Sequence, residues 1–324
     1  MAASFKTSFK KAESNLIPGM FRIPTTTIAT LLLVLLFLTG CQPLMTNRIR
    51  DRISASNERD WSPDMATLPT ADFVGEVVHV HNIRNNQYLS ADDFIVNHYD
   101  RTVRIADIQS VDFVVVPFKQ TPALAHTLLS FGLSDGTYLG VSVEVRKEKS
   151  EKYQPLLGIS NQYELMYVVA DERDLIRLRT EHREDSVYVF PTVANAKQSQ
   201  DLFVDVMHRV NQLAVNPEFY HSIGNNCTTN LVEHVNNLKE DKVPFSWKVL
   251  LPGFSAKYAY DHGLLDNRLP FEELELLCKI NDLAAEHSDS DDFSRLIRSK
   301  RHLINRAVAR TNSREQDSNG RVLY

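Results

Sequence analysis

The segment Pro217-Glu-Phe-Tyr-His-Ser-Ile-Gly-Asn-Asn-Cys227 is rich in turn formers and gives way at Thr228 to helical spacing that runs to Leu238. Cys227 therefore stands at a helix start. There the first backbone N–H groups lack intrahelical acceptors and the dipole favours an anion, so a thiol in that place ionises to the thiolate that attacks carbonyls. Gly224, Asn225 and Asn226 supply the permissive entry that such an elbow needs. Their side-chain amides and the Cys227 N–H are candidate donors to an oxyanion.

A nucleophilic thiol needs a base within hydrogen-bond reach and a polar group that orients it. Five histidines compete for that role. His234 lies seven positions along the helix and so about 10 Å further down its axis, too far to touch the sulfur. His221, in the turn, stays open as a candidate. His208 falls on a helix surface and His182 in a polar loop. His126 opens a strand, where a base carried by a sheet can face a cysteine carried by a helix. A hairpin turning about Ser134-Asp135 places His126 across from Val143 or Glu144, which makes Glu144 the leading orienter and Ser142 the fallback. A carboxylate there fixes the imidazole tautomer and raises its basicity.

These residues require a sheet packed on helices. Period-two patterning predicts strands over 74–81, 111–117, 126–131, 138–146, 163–169 and 186–190. Helical spacing predicts helices over 201–213, 228–238, near 271–286 and over 292–309, the last capped by Ser290 or Asp291. Cys278 sits with Leu274 and Leu277 at helical spacing and reads as a core thiol. The basic residues Arg295, Arg298, Lys300, Arg301, Arg306 and Arg310 read as a solvated face. Asp171, Glu172, Arg173 and Asp174 read as an ion-pair turn, while Tyr163 and Glu164 are candidates for the cleft. His79 and His81 share a strand face but have no further ligand cluster, so neither a metal nor another cofactor is expected.

The N-terminus reads as a lipoprotein signal. Lys6, Lys10, Lys11 and Arg22 precede an apolar run from Ile28 to Leu38, too short for the roughly 20 residues of a membrane span, and Leu38-Thr39-Gly40-Cys41 resembles a lipobox. Cys41 is the expected lipidation site and membrane anchor, and Gln42 points to the outer membrane. The formal net charge is −5, and removing residues 1–40 makes it more negative, which argues against nucleic-acid binding. The expected organisation is a signal peptide over 1–40, a tether over 41–70, the Cys–His domain over 71–266, a helical extension over 267–310 and a polar tail over 311–324.

Ala125-His-Thr-Leu-Leu-Ser-Phe-Gly132, Val141-Ser-Val-Glu-Val-Arg-Lys147, Tyr163-Glu-Leu-Met-Tyr167, Asp171-Glu-Arg-Asp174 and Phe219-Tyr-His-Ser-Ile-Gly-Asn-Asn-Cys-Thr-Thr229 together resemble a bacterial envelope family, the Lnb N-terminal periplasmic domain of a lipoprotein N-acyltransferase. The resemblance covers roughly 75–265. It implies an α+β fold of the circularly permuted papain-like (NlpC/P60-related) kind, an antiparallel sheet packed on helices, with His126 as base ahead of Cys227 as nucleophile. It departs from the full-length transferase, which carries a membrane-embedded part after this domain; no stretch here after residue 40 reaches that length. The expected activity is thiol acyl chemistry, transfer or hydrolysis, on a lipid or lipoprotein ester or amide. The alternatives are a peptidoglycan peptide amidase and a non-catalytic binding or assembly lipoprotein.

Overall fold

A computed structural model describes residues 54–151, 162–244 and 246–309. The expected signal peptide, Cys41 and the polar tail lie outside the described residues. The strands are β1 (Thr70–Val74), β2 (Val77–Arg84), β3 (Gln87–Tyr88), β4 (Phe94–Ile95), β5 (His98–Arg104), β6 (Ile108–Phe118), β7 (Thr121–Leu133), β8 (Tyr138–Arg146), β9 (Glu164–Asp171) and β10 (Tyr188–Pro191). The helices are α1 (Glu172–Arg177), α2 (Ala196–Val215), α3 (Cys227–Leu238), α4 (Trp247–Leu250), α5 (Ser255–Asp261), α6 (Phe271–Cys278), α7 (Asn281–Glu286) and α8 (Phe293–Leu296).

Eight strands form one sheet in the order β1-β2-β9-β8-β7-β6-β10, with β5 also on β2, while β3 and β4 pair separately. Among the described residues the ladders are antiparallel except where Arg84 of β2 meets Ala170 of β9 in parallel. This is the mixed α+β architecture expected from the sequence. Leu202, Phe203 and Val206 of α2 and Leu231 of α3 pack on Val111, Leu129, Phe131 and Tyr167 on one face. Leu175, Leu283 and Phe293, from α1, α7 and α8, pack on Val114, Leu128 and Val168 on the other. Cover on both faces is why β7 is apolar at successive positions instead of alternating.

Several expected boundaries are corrected. The pattern over 74–81 is two strands, because Gly75 takes a φ of 57° and folds β1 back on β2 with Val74 opposite Val77. The stretch 54–69, expected as tether, packs into the domain: Trp61 and Met65 are buried. Arg146 donates to the Met65 and Ala66 carbonyls at 2.9 and 2.8 Å and stacks 4.1 Å over the Trp61 ring. The stretch 267–309 is equally part of the domain and not an added extension. Asn281 bridges the Val187 N–H and the Asp185 carbonyl at 2.9 and 2.7 Å, and the described residues form one compact unit.

The basic face after Asp292 is also not fully solvated. Arg298 is buried; its Nε donates to Asp112 Oδ2 at 2.8 Å and its Nη1 and Nη2 to Glu172 at 2.7 and 2.5 Å. Arg301 adds a second cation 2.6 Å from Asp112. The acids of the expected ion-pair turn reach outward instead of pairing with Arg173: Glu172 to Arg298, and Asp174 to Arg84 at 2.7 Å. Asp171 caps α1 by accepting from Arg173 N at 3.0 Å. Neither Ser290 nor Asp291 is the N-cap of α8; Asp292 holds that place without a side-chain capping bond.

Candidate active site

Helix α3 starts on a capping box. The Asn226 side chain accepts from Thr229 N at 2.9 Å and Thr229 Oγ1 accepts from Asn226 N at 2.8 Å, so two of the orphan donors of the first turn are satisfied. The loop before it is closed by reciprocal backbone bonds between His221 and Asn225 at 3.0 and 2.9 Å. Two expectations change here. Gly224 is not left-handed, since the positive-φ glycines among the described residues are Gly75, Gly136 and Gly263, so side-chain capping shapes the elbow. The Asn225 and Asn226 amides donate to the Phe219 and Ser222 carbonyls at 2.9 and 2.8 Å, which ties them into the loop. The Cys227 N–H, at the first helical position, has no intrahelical acceptor.

On the sheet, the β7–β8 ladder runs from Gly132 opposite Tyr138 to Leu128 opposite Ser142. His126 lies two residues beyond its end, and the same register carries Glu144 across from it. Nε2 of His126 is 2.6 Å from Ser142 Oγ and 3.2 Å from Glu144 Oε1, and Ser142 Oγ donates to Glu144 Oε1 at 2.7 Å. Leading orienter and fallback thus occupy one network. The His126 imidazole and the Cys227 thiol are coupled: the imidazole draws the thiol down, and the thiol helps to hold the imidazole up. Thr127 contacts the same sulfur, and its hydroxyl lies 3.2 Å from that of Thr228.

The couple is 6% and 7% exposed at Cys227 and His126. Burial pushes the Cys227 thiol up, but the hydrogen bond and charge of His126, helped by Thr127, prevail and bring it down to about 7. Burial also opposes the imidazolium, yet Glu144 holds His126 above its ordinary value against the nearby Arg179. Despite its own burial, Glu144 stays well below the carboxylate range because His126 and Arg179 face it. Cys278 is the contrast: buried without such partners, its thiol is pushed up to about 12.

A cavity of about 190 Å³ opens beside the couple. Leu124, Val145 and Leu250 give it an apolar wall, and Lys147, Arg179 and Arg183 a cationic one. Gly253 permits that shape: a Cβ there would fall 1.9 Å from the Pro122 carbonyl oxygen, so only glycine lets the turn bearing Pro252 lie against the start of β7.

The other candidates sit elsewhere. His234 is held by Tyr167 and Asp205 at 2.7 and 2.6 Å. His221 Nδ1 accepts from Ile223 and Gly224 N–H at 3.3 and 3.2 Å, His208 stacks on Phe73, and His182 lies near the Tyr88 ring. Tyr163 and Glu164 are buried away from the cleft, Glu164 against Arg59 at 2.6 Å. His79 bonds Thr102, and His81 bonds Asp100 and Asp72; no group able to hold a metal occurs among the described residues. Sequence reasoning passed over Thr127 and Arg179, whose Nη2 lies 3.2 Å from Glu144. Thr127 follows His126 directly and was open to notice. Arg179 carries no local signal.

An antiparallel-rich α+β sheet domain whose helix start brings a cysteine to a histidine and carboxylate on two adjacent strands is the class defined by this geometry. Residues 96–253 match the profile of the Lnb N-terminal periplasmic domain, the family its motifs resemble. No curated protein and no solved structure matches the chain. Among the described residues no helix is long and apolar enough to cross a membrane.

Proposed function

We propose that this chain is a cysteine-dependent acyltransferase or hydrolase on the periplasmic side of the cell envelope, acting on a lipid or lipoprotein ester or amide. The Cys227 thiolate attacks the carbonyl, and the oxyanion is received by the Cys227 N–H. As the thioester forms, the carbon–oxygen or carbon–nitrogen bond breaks and imidazolium His126 gives its proton to the leaving group. Water or an amine then attacks the thioester, His126 takes the incoming proton, and the thiolate is released. Glu144 and Ser142 hold the ring in place throughout.

The observation that carries this reading is the buried, electrostatically coupled pair of Cys227 and His126, with Glu144 against the ring and a cavity beside the pair. Histidine before cysteine in the chain is consistent with a circularly permuted papain-like plan. The leader and Leu38-Thr39-Gly40-Cys41 support a lipid on Cys41, and Gln42 supports the outer membrane. The apolar wall of the cavity favours an acyl chain over a purely polar substrate. A peptidoglycan peptide amidase is the second reading, favoured by the cationic wall, which also suits a stem-peptide carboxylate.

The test is to incubate the full chain with a diacyl phospholipid and, separately, with a diacylated lipopeptide, quench in acid and map the peptides by mass spectrometry. An acyl mass on the Cys227 peptide, absent from Cys227→Ala, is expected. No adduct from either lipid but cleavage of peptidoglycan stem peptides supports the amidase; neither reaction leaves a binding or assembly lipoprotein.

A further inference from the structure

The domain is acidic, yet the cavity beside Cys227 is lined by three cations, Lys147, Arg179 and Arg183, against the single carboxylate of Glu144. Arg179 is the unusual one. It is 4% exposed, spends Nη2 on Glu144, and its buried Nε has no hydrogen-bond partner among the described residues. A guanidinium carries five N–H donors, the bond to Glu144 uses one of them, and the side chain lines the cavity. Its backbone belongs to a π-helical turn, Leu178–His182, a distortion that recurs at functional sites. Arg183, one turn further on and exposed, and Lys147, half-buried just past the end of β8, complete the positive lining. Planar N–H donors beside an ammonium group form a phosphate-binding set.

Resting on the thiol reading above, we propose that the substrate carries a phosphate group close to its scissile acyl bond, and that Arg179, with Arg183 and Lys147, binds that phosphate and so selects the acyl donor. Arg179 is a specificity residue in this account: its contact fixes which ester reaches the sulfur. A glycerophospholipid places a phosphodiester at that separation from an ester; a soluble acyl phosphate presents the same chemistry without a lipid.

The experiment compares alkylation of Cys227 in the full chain by anionic iodoacetate and neutral iodoacetamide, each rate referred to that of free cysteine. The account expects iodoacetate to be favoured by about tenfold, as an added charge-assisted contact of roughly 1.4 kcal/mol implies. Arg179→Gln should remove the preference and Arg179→Lys retain part of it. Short-chain phosphatidylglycerol should protect against iodoacetate where an uncharged diacylglycerol of the same chains does not. Equal protection by inorganic phosphate supports the same site with a soluble source. The proposal is overturned if both reagents label Cys227 with the ratio seen for free cysteine and no phosphate protects, and the thiol reading then stands. If neither reagent labels Cys227, the thiol reading itself has failed.

Discussion

Replacing His126 with glutamine is expected to lower the rate at which Cys227 takes up an acyl group by about 10²- to 10⁴-fold, the usual contribution of a positioned acid–base group. Glutamine retains a hydrogen-bonding head beside Ser142 but neither carries a positive charge nor exchanges a proton near neutral pH. Two contributions vanish together. The sulfur loses the partner that offsets its burial, so its pKa rises from about 7 toward the ordinary thiol range. The leaving group also loses its proton donor. Stopped acylation assays on the purified chain check this, with thermal unfolding as a control for the fold. A fall of less than threefold would mean that the imidazole beside the sulfur takes no part.

The second large effect is on stability. Arg298→Ala is expected to cost about 3–5 kcal/mol, the typical penalty for stranding buried charges. Glu172 and Asp112 are each 1% exposed and share this guanidinium, and Arg301 reaches only Asp112, so Glu172 is left buried without its cation. Urea unfolding followed by circular dichroism measures the loss. Adding Glu172→Gln to Arg298→Ala should restore part of it by removing the stranded charge, and a single-variant effect below about 1 kcal/mol would show that the cluster does not hold the C-terminal helices to the sheet.

Much of the site could be read from sequence because it depends on local signals. Asn-Asn-Cys-Thr-Thr announces a capped helix start, and the Ser134-Asp135 turn fixes a register that carries Glu144 opposite His126. What sequence does not carry is the result of long-range pairing. Arg298 looks like one basic residue in a row, and only the fold reveals that Asp112, 186 positions away, neutralises it. Arg179 likewise becomes part of the cavity because a π-helical turn swings it toward Glu144. Composition misled at 54–69, where two prolines and sparse apolar residues suggested a tether although Trp61 and Met65 are buried. Gly224 misled in the opposite sense: its type suggested a left-handed turn, and the capping asparagine provided the bend without one.

The central claim is that Cys227 is activated by its imidazole neighbour. Its most direct test is the pH dependence of iodoacetamide labelling at Cys227 in the native full chain, resolved from Cys278 by peptide mass spectrometry. A thiol with pKa about 7 is roughly half thiolate at pH 7, whereas one at 9.0 is about one-hundredth thiolate, so labelling should rise through an inflection near 7 and level off above it. An inflection at 9 or above, or no labelling below the denaturation threshold, would contradict the claim.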